Sequence, residues 1–159
     1  MPSTPDSTTA LSPPRPARAG GPTSRPWWPW LVTVLRVGLG AVALAAGAAK
    51  VGDLDASVWA VRAYDLLPVP LAEVVGTVLP FAEILAGLLL VTGLFTRWAA
   101  GAFALMLAGF AVGIVSAWAR GLAIDCGCFG GGGQVDADQT RYGSEILRDL
   151  GLALCGAWL

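Results

Sequence analysis

Long apolar stretches alternate with short polar, proline or glycine breaks along this chain, and the pattern predicts helices. A membrane-spanning helix needs about 20 mostly apolar residues. Three stretches meet that length and a fourth, of about 15 residues, is short for a full span. The predicted helices cover residues Pro29 to Ala49, Leu71 to Thr92, Trp98 to Trp118 and Glu145 to Leu159. The pattern therefore predicts an all-α integral membrane protein, a four-helix bundle.

A different pattern follows the first helix. From Asp55 to Leu67, apolar side chains alternate with charged ones such as Arg62 and Asp65. This mixture is typical of a short amphipathic helix that lies against the membrane surface. Pro68 and Pro70 end it, because proline cannot continue a helix from its interior.

Composition supports the membrane assignment. The chain is 55% hydrophobic and 13% charged, with a mean hydropathy of +0.66, whereas soluble domains carry roughly 25% charged residues. A soluble fold of 159 residues could not cover so much apolar surface. The apolar part, residues 27 to 159, has room for one compact bundle and predicts a single domain surrounded by membrane lipid.

Residues 1 to 26 are rich in Pro, Ser, Thr and Arg, with few large apolar side chains. Such a segment buries too little surface to offset its ordering entropy, so we expect a disordered tail. Its arginines, Arg15, Arg18 and Arg25, favour a cytoplasmic N-terminus by the positive-inside rule. Four spans would then place the C-terminus in the cytoplasm as well, and the loop before the last helix outside it.

Net charge excludes some classes of function. The chain carries a net charge of −1 and has no histidine, and none of its basic residues cluster densely enough to indicate a nucleic-acid partner. Because the chain has no histidine, histidine-based acid–base chemistry and histidine-ligated metal sites are excluded within it.

The stretch from Asp125 to Gly130, which contains Cys126 and Cys128, is the candidate catalytic motif. Two extended residues span at most about 7 Å, and a disulfide needs Cα atoms about 4.4–6.8 Å apart, so Cys126 and Cys128 can bond if Gly127 bends. Strained, exposed disulfides are oxidising and labile, which suits thiol–disulfide exchange. A metal site and an inert loop pair are the alternatives.

Two residues beside the motif have less specific interpretations. Asp125 would disfavour a neighbouring thiolate, so it could tune the thiols or take part in proton transfer, or it could serve only as a turn residue. Cys155 lies near the end of the last helix, and we expect it to be a packed small hydrophobic residue far from the motif.

Arg36 and Glu83 are charged residues inside predicted membrane helices, where each is costly unless it pairs or lines a pathway. We expect them to form an intramembrane polar pair in the cytoplasmic half of the bundle. The pair could be a structural salt bridge, or it could be part of a quinone or proton site beneath the thiols.

The order of several short motifs resembles that of a known family. These motifs are Leu35-Arg36, Gly47-Ala48-Ala49-Lys50 with Asp53, Tyr64 with Leu66-Leu67-Pro68, Pro80 with Glu83, Gly87, Gly93 and Arg97, Asp125-Cys126-Gly127-Cys128-Phe129-Gly130, and Arg148. Over residues 29 to 159 the chain resembles the MauE branch of the DoxX-like membrane proteins. The resemblance implies a four-helix membrane protein that assists maturation of the disulfide-rich light subunit of methylamine dehydrogenase, alongside a thioredoxin-like periplasmic partner.

These observations lead to one preferred function and two alternatives. The preferred function is a membrane thiol–disulfide relay in which Cys126 and Cys128 exchange electrons with an extracytoplasmic thioredoxin-like protein, with a quinone open as an electron acceptor. The first alternative is a non-catalytic anchor or assembly subunit of a DoxX-type oxidoreductase. The second is a small transporter with Arg36 and Glu83 in its path.

Overall fold

The computed structural model describes residues 27–127, 131–136 and 140–159. The disordered tail expected for residues 1 to 26 lies outside the described residues, and so does Cys128. Both expectations therefore stay predictions.

Within the described residues the chain forms five helices and one small sheet. The elements are α1 (Trp28–Val51), α2 (Leu54–Ala63), α3 (Val69–Thr92), α4 (Thr96–Ala119), β1 (Ile124–Asp125), β2 (Gly133–Gln134) and α5 (Tyr142–Trp158). Three of these helices, α1, α3 and α4, are long and apolar enough to cross a membrane. The prediction of a helical membrane protein is confirmed.

Helix α2 packs on the bundle along one face. Ser57 and Ala60 are buried, whereas Trp59 is exposed, and a Cβ added to Gly76 of α3 would lie only 2.6 Å from the Val58 Cα. The absence of a side chain at Gly76 thus lets α2 pack directly on the first half of α3. That α2 lies against the membrane surface stays a prediction.

Helices α1 and α3 approach each other through small residues, as expected for apolar helices that gain mainly van der Waals contact. A Cβ added to Gly47 would lie 2.6 Å from Ile84 Cγ1 and 2.7 Å from the Pro80 carbonyl oxygen. Nearer the other end, a Cβ on Gly40 would lie 2.7 Å from a methyl of Val91. The increasing numbers on α1 against decreasing numbers on α3 define an antiparallel pair.

The loop between α4 and α5 contains structure that its glycine run did not suggest. Strands β1 and β2 pair antiparallel, with Ile124 opposite Gln134 and Asp125 opposite Gly133. Gly131, Gly132 and Gly133 have φ angles of 73°, 96° and 112°, which residues with a Cβ rarely adopt. These glycines let the chain return alongside β1 and hold the residues just before Cys126.

Two cores lie at opposite ends of the bundle. One includes Leu39, Leu90 and Phe103, with Cys155 partly buried against it, and the other includes Ile124 and Cys126. Cys155 is thus a packed residue away from the motif, as expected. The rings of Trp28 and Trp158 are 5.0 Å apart, so α1 begins where α5 ends, at the end opposite the cysteine loop.

We predict that Gly47→Ala lowers the thermal stability of the bundle, because its methyl group would clash with α3 backbone as well as with a side chain. Overpacking of this kind costs about 1–3 kcal/mol. Gly38→Ala is the matched control, since no atom lies within 4 Å of a Cβ there and alanine is the better helix former. Thermal unfolding of the two variants in detergent should differ, and equal melting temperatures would contradict the close α1–α3 contact.

Candidate functional site: the surroundings of Cys126

Two tyrosines hold the cysteine loop against the bundle. The Tyr64 hydroxyl, just after α2, donates to the Cys126 carbonyl oxygen over 3.1 Å. The Tyr142 hydroxyl, at the start of α5, donates to the Leu122 carbonyl and accepts from the Ile124 amide over 2.9 Å. The backbone before and at Cys126 is therefore fixed by side chains from two different helices.

The Cys126 side chain is only 6% exposed and has charged neighbours from α5. Nη2 of Arg148 lies 3.8 Å from the Cys126 Sγ. The Cys126 side chain also hydrogen-bonds with the side chain of Glu145. The nearest polar atoms of Asp125, Cys126 and Glu145 all lie within 4.8 Å of one another. The sulfur thus sits between one cation and two carboxyl groups.

Asp149 holds Arg148 in this position. The Arg148 Nε–H donates to Oδ1 of Asp149 over 3.0 Å, and Nη2 lies 3.0 Å from the same oxygen in an ion pair. Asp149 is 1% exposed, whereas the Arg148 side chain is 35% exposed. A charge-assisted hydrogen bond to a buried carboxylate restrains the guanidinium, so the cation stays beside the cysteine sulfur.

Glu145 has a perturbed pKa, and it lies in the first turn of α5, outside the three membrane-spanning helices. Burial is the main cause that raises the pKa of Glu145 above its ordinary value of 4.5, and the negative charges of Asp125 and Asp149 raise it further. The hydrogen bond with Cys126 and the charge of Arg148 oppose this shift. Glu145 therefore holds a proton more readily than an exposed glutamate does.

The predicted pairing of Arg36 with Glu83 is wrong. Glu83 forms a buried ion pair with Lys50, with 2.6 Å between Nζ and Oε1, while the Arg36 guanidinium reaches Gly93 in the turn between α3 and α4. Arg36 and Lys50 are 14 residues apart on α1, about 21 Å along the axis. The antiparallel packing that sets Gly47 beside Pro80 brings Lys50, rather than Arg36, level with Glu83.

Comparison with known proteins agrees with this architecture. The family model of methylamine utilisation protein MauE matches residues 28–159. The chain belongs to the MauE family. No curated protein and no solved structure matches it.

Sequence reasoning placed Cys126 and Asp125 in this MauE-family site but missed three residues around them. Arg148 and Asp149 lie three and four residues after Glu145, which puts each of them next to Glu145 on the surface of α5. That spacing, directly after a cysteine loop, is the signal that could have identified them. Lys50 was missed because it was expected at the exposed end of the first helix.

The surroundings of Cys126 suit a thiol better than a metal ion. Asp125, Cys126 and Glu145 offer three closely spaced ligand atoms, but the Arg148 cation 3.8 Å from the sulfur would repel a metal ion. The described residues therefore do not assign a metal centre.

An apolar groove of about 300 Å³ lies on the other side of Tyr64, lined mainly by residues of α3 and α4. Among the described residues that line it, Tyr64 has the one polar side chain, and its hydroxyl donates to Cys126. A quinone as electron acceptor stays a prediction.

We predict that Glu145→Gln removes a pH-dependent loss of stability. Because the folded-state pKa of Glu145 is raised above 4.5, its contribution to stability is fully present below that pH and is lost as the pH rises through the folded-state pKa. The wild-type melting temperature should therefore fall relative to that of the variant over this range, measured in detergent. Glu73→Gln, at an exposed glutamate of α3, should follow the wild type, and parallel curves for Glu145→Gln and wild type would refute the prediction.

Proposed function

We propose that this MauE-family protein is a membrane thiol–disulfide relay that exchanges electrons between the Cys126–Cys128 pair and a thioredoxin-like extracytoplasmic partner. The observation that carries the proposal is the position of the Cys126 sulfur, beside the Arg148 guanidinium and the Glu145 carboxyl. The thiolate is the reactive form of cysteine, and a neighbouring cation favours it. A cysteine with only a packing role has no need of this arrangement.

The burial of Cys126 indicates its role in the proposed exchange. Cys126 is almost fully buried, which suits the cysteine that resolves an intermediate within the chain. The bond to the partner then falls to Cys128. A partner thiolate attacks Cys128 Sγ, the Cys126–Cys128 bond breaks, and its electron pair leaves on Cys126 as a thiolate.

The second step completes the exchange. A second partner thiolate attacks the partner sulfur of the mixed disulfide and expels Cys128 as a thiolate, which takes a proton. The partner dithiol becomes a disulfide, and the Cys126–Cys128 disulfide becomes two thiols. Each step is reversible, so the direction follows the reduction potentials of the two pairs.

Charged residues of α5 have separate roles in this exchange. Arg148 stabilises the Cys126 thiolate, and Asp149 holds the guanidinium in place. Glu145, whose pKa is raised by burial and by the negative charges of Asp125 and Asp149, hydrogen-bonds with the Cys126 side chain and holds it beside Arg148.

The proposed topology puts the cysteine loop outside the cytoplasm and both termini inside. Contact between Trp28 and Trp158 supports it, because it gathers the described ends of the chain at the end of the bundle away from Cys126. An extracytoplasmic partner would then meet the loop, β1 and β2, and in this family the exchange would serve maturation of a disulfide-containing protein.

The roles of the cysteines predict which single substitution traps the partner. Cys126→Ser leaves Cys128 without its resolving thiol, so a mixed disulfide with the partner should accumulate in membranes and disappear on reduction. Cys128→Ser should trap none, and Cys155→Ser, the control, should behave as wild type. Non-reducing electrophoresis after acid quenching measures this. If the Cys126→Ser, Cys128→Ser double variant kept full biological function, the protein would be an anchor or assembly subunit.

Thiol reactivity tests the role of Arg148. In a Cys128→Ser, Cys155→Ser background, Arg148→Gln should slow alkylation of Cys126 severalfold at neutral pH, because the thiolate loses its neighbouring cation. Arg148→Lys should restore part of the rate, since it keeps the charge without the planar guanidinium. Arg141→Gln, at an exposed arginine just before α5, is the matched control. Equal rates for all four proteins would rule out thiolate stabilisation by Arg148.

A further inference from the structure

Two small cavities lie beside the buried Lys50–Glu83 pair, and one of them is also lined by Cys126. The outer cavity, of about 20 Å³, is lined by Lys50 and Cys126 together with Tyr64 and Phe110. The inner cavity, also about 20 Å³, is lined by Glu83 together with Arg148 and Asp149, and again by Phe110. Each has room for a single water molecule with polar groups to bind it.

The Lys50–Glu83 pair is more than a simple salt bridge. Lys50 is 5% exposed and Glu83 2%, and a buried ion pair of this kind is costly to desolvate. Oε2 of Glu83 is buried and has no hydrogen-bond partner among the described residues. An unsatisfied carboxylate oxygen is a favourable place for a proton or for a water molecule that brings one.

Ionisable groups reach this region from the loop and from the elements packed around it. They are Lys50 of α1, Tyr64 after α2, Glu83 of α3, Asp125 and Cys126 of the loop, and Glu145, Arg148 and Asp149 of α5. Helix α4 contributes the Phe110 ring, whose centroid lies 5.2 Å from Lys50 Nζ. The ring stabilises the ammonium by a cation–π contact and forms the wall common to both cavities.

We propose that the Lys50–Glu83 pair is the internal proton acceptor for the Cys126 thiol. This inference rests on the proposed function and adds the route that the proton takes. Lys50 and Glu83 are positioning and proton-storing residues, since Glu145 and Arg148 are the ones that contact the sulfur. The pair thereby couples thiol–disulfide exchange to proton movement inside the membrane domain.

The proton of the Cys126 thiol reaches Glu83 in two transfers. The Lys50 ammonium gives one proton to Glu83. The Cys126 S–H bond breaks, and its proton passes through water in the outer cavity to Lys50. The products are a Cys126 thiolate, a Lys50 ammonium and a neutral Glu83 carboxylic acid. The thiolate then attacks Cys128 in the mixed disulfide and expels the partner thiolate. Release of the proton from Glu83 restores the ion pair, and the partner thiolate gains one proton overall.

The test is the pH profile of Cys126 alkylation in full-length protein in lipid nanodiscs, with Cys128→Ser and Cys155→Ser so that Cys126 is the only thiol. Glu83→Gln removes the proton acceptor. Transfer of the thiol proton to Glu83 releases no proton to solvent, so the wild-type alkylation rate should level off in a pH-independent plateau. The Glu83→Gln rate should lack this plateau and rise about tenfold per pH unit over the same range. Glu73→Gln, the matched control on the same helix, should keep the original profile. Coincident profiles for Glu83→Gln and Glu73→Gln would overturn the proposal.

A second variant tests the proposal in case Glu83→Gln, which leaves Lys50 unpaired, does not fold. Lys50→Met with Glu83→Leu replaces the ion pair by apolar side chains, a change that buried pairs often tolerate without loss of stability. This double variant should lack the pH-independent plateau, as Glu83→Gln does. A plateau retained in a folded double variant would limit the pair to a structural role.

Infrared difference spectroscopy on protein with an intact Lys50–Glu83 pair provides a measurement that needs no change at either residue. In the single-thiol background with Glu145→Gln, at a pH within the plateau, alkylation of Cys126 should remove a protonated-carboxyl band together with the S–H band, because the thioether leaves no thiol proton for Glu83 to hold. Loss of the S–H band with an unchanged protonated-carboxyl band would overturn the proposal. The partner trap with Cys126→Ser is independent of this result, so failure of the proton route and failure of the relay are distinguishable.

Discussion

The close approach of α1 and α3 at Gly47 is the constraint on which the rest of the structure depends. It fixes the register of the two helices and so places Lys50 level with Glu83, where an ion pair of 2.6 Å satisfies two charges that neither helix could bury alone. Ser57 and Ala60 of α2 line the same small cavity as the buried Lys50. The cysteine loop then packs over α2, and Cys126 shares a cavity with Lys50.

The helices that cross the membrane could be predicted from the sequence because their signal is local. Long apolar stretches bounded by charges, prolines or glycines define α1, α3 and α4 to within a few residues. The packing of α2 on α3 could not be predicted in the same way. Its mixture of apolar and charged residues indicates an amphipathic helix, but its partner depends on Gly76, which presents a surface without a side chain. The strands depend equally on a distant pairing between Ile124 and Gln134.

In the candidate site, too, local motifs could be predicted from the sequence and contacts between distant residues could not. Cys126 and Asp125 could be found from a short motif, whereas Arg36 was assigned to Glu83 because depth along two helices does not define their relative register. A shift of a few residues on either helix changes which cation is level with Glu83. The face of α5 that contains Glu145, Arg148 and Asp149 is different, since its spacing is visible in the sequence. The sequence did not show that α5 begins early enough to bring this face beside the loop.

Charge balance explains why a buried cysteine here requires a nearby proton acceptor. Lys50 offsets Glu83, and Arg148 offsets Asp149, so the two buried pairs are neutral. A Cys126 thiolate would add one negative charge to a region where Glu145 and Asp125 are already acidic. Retention of the released proton on Glu83, the proposed route, would leave the net charge of this region unchanged. In the proposed relay, electron transfer at Cys126 would then be tied to the position of a proton within the protein, and the reduction potential of the cysteine pair would depend on the same carboxyl group.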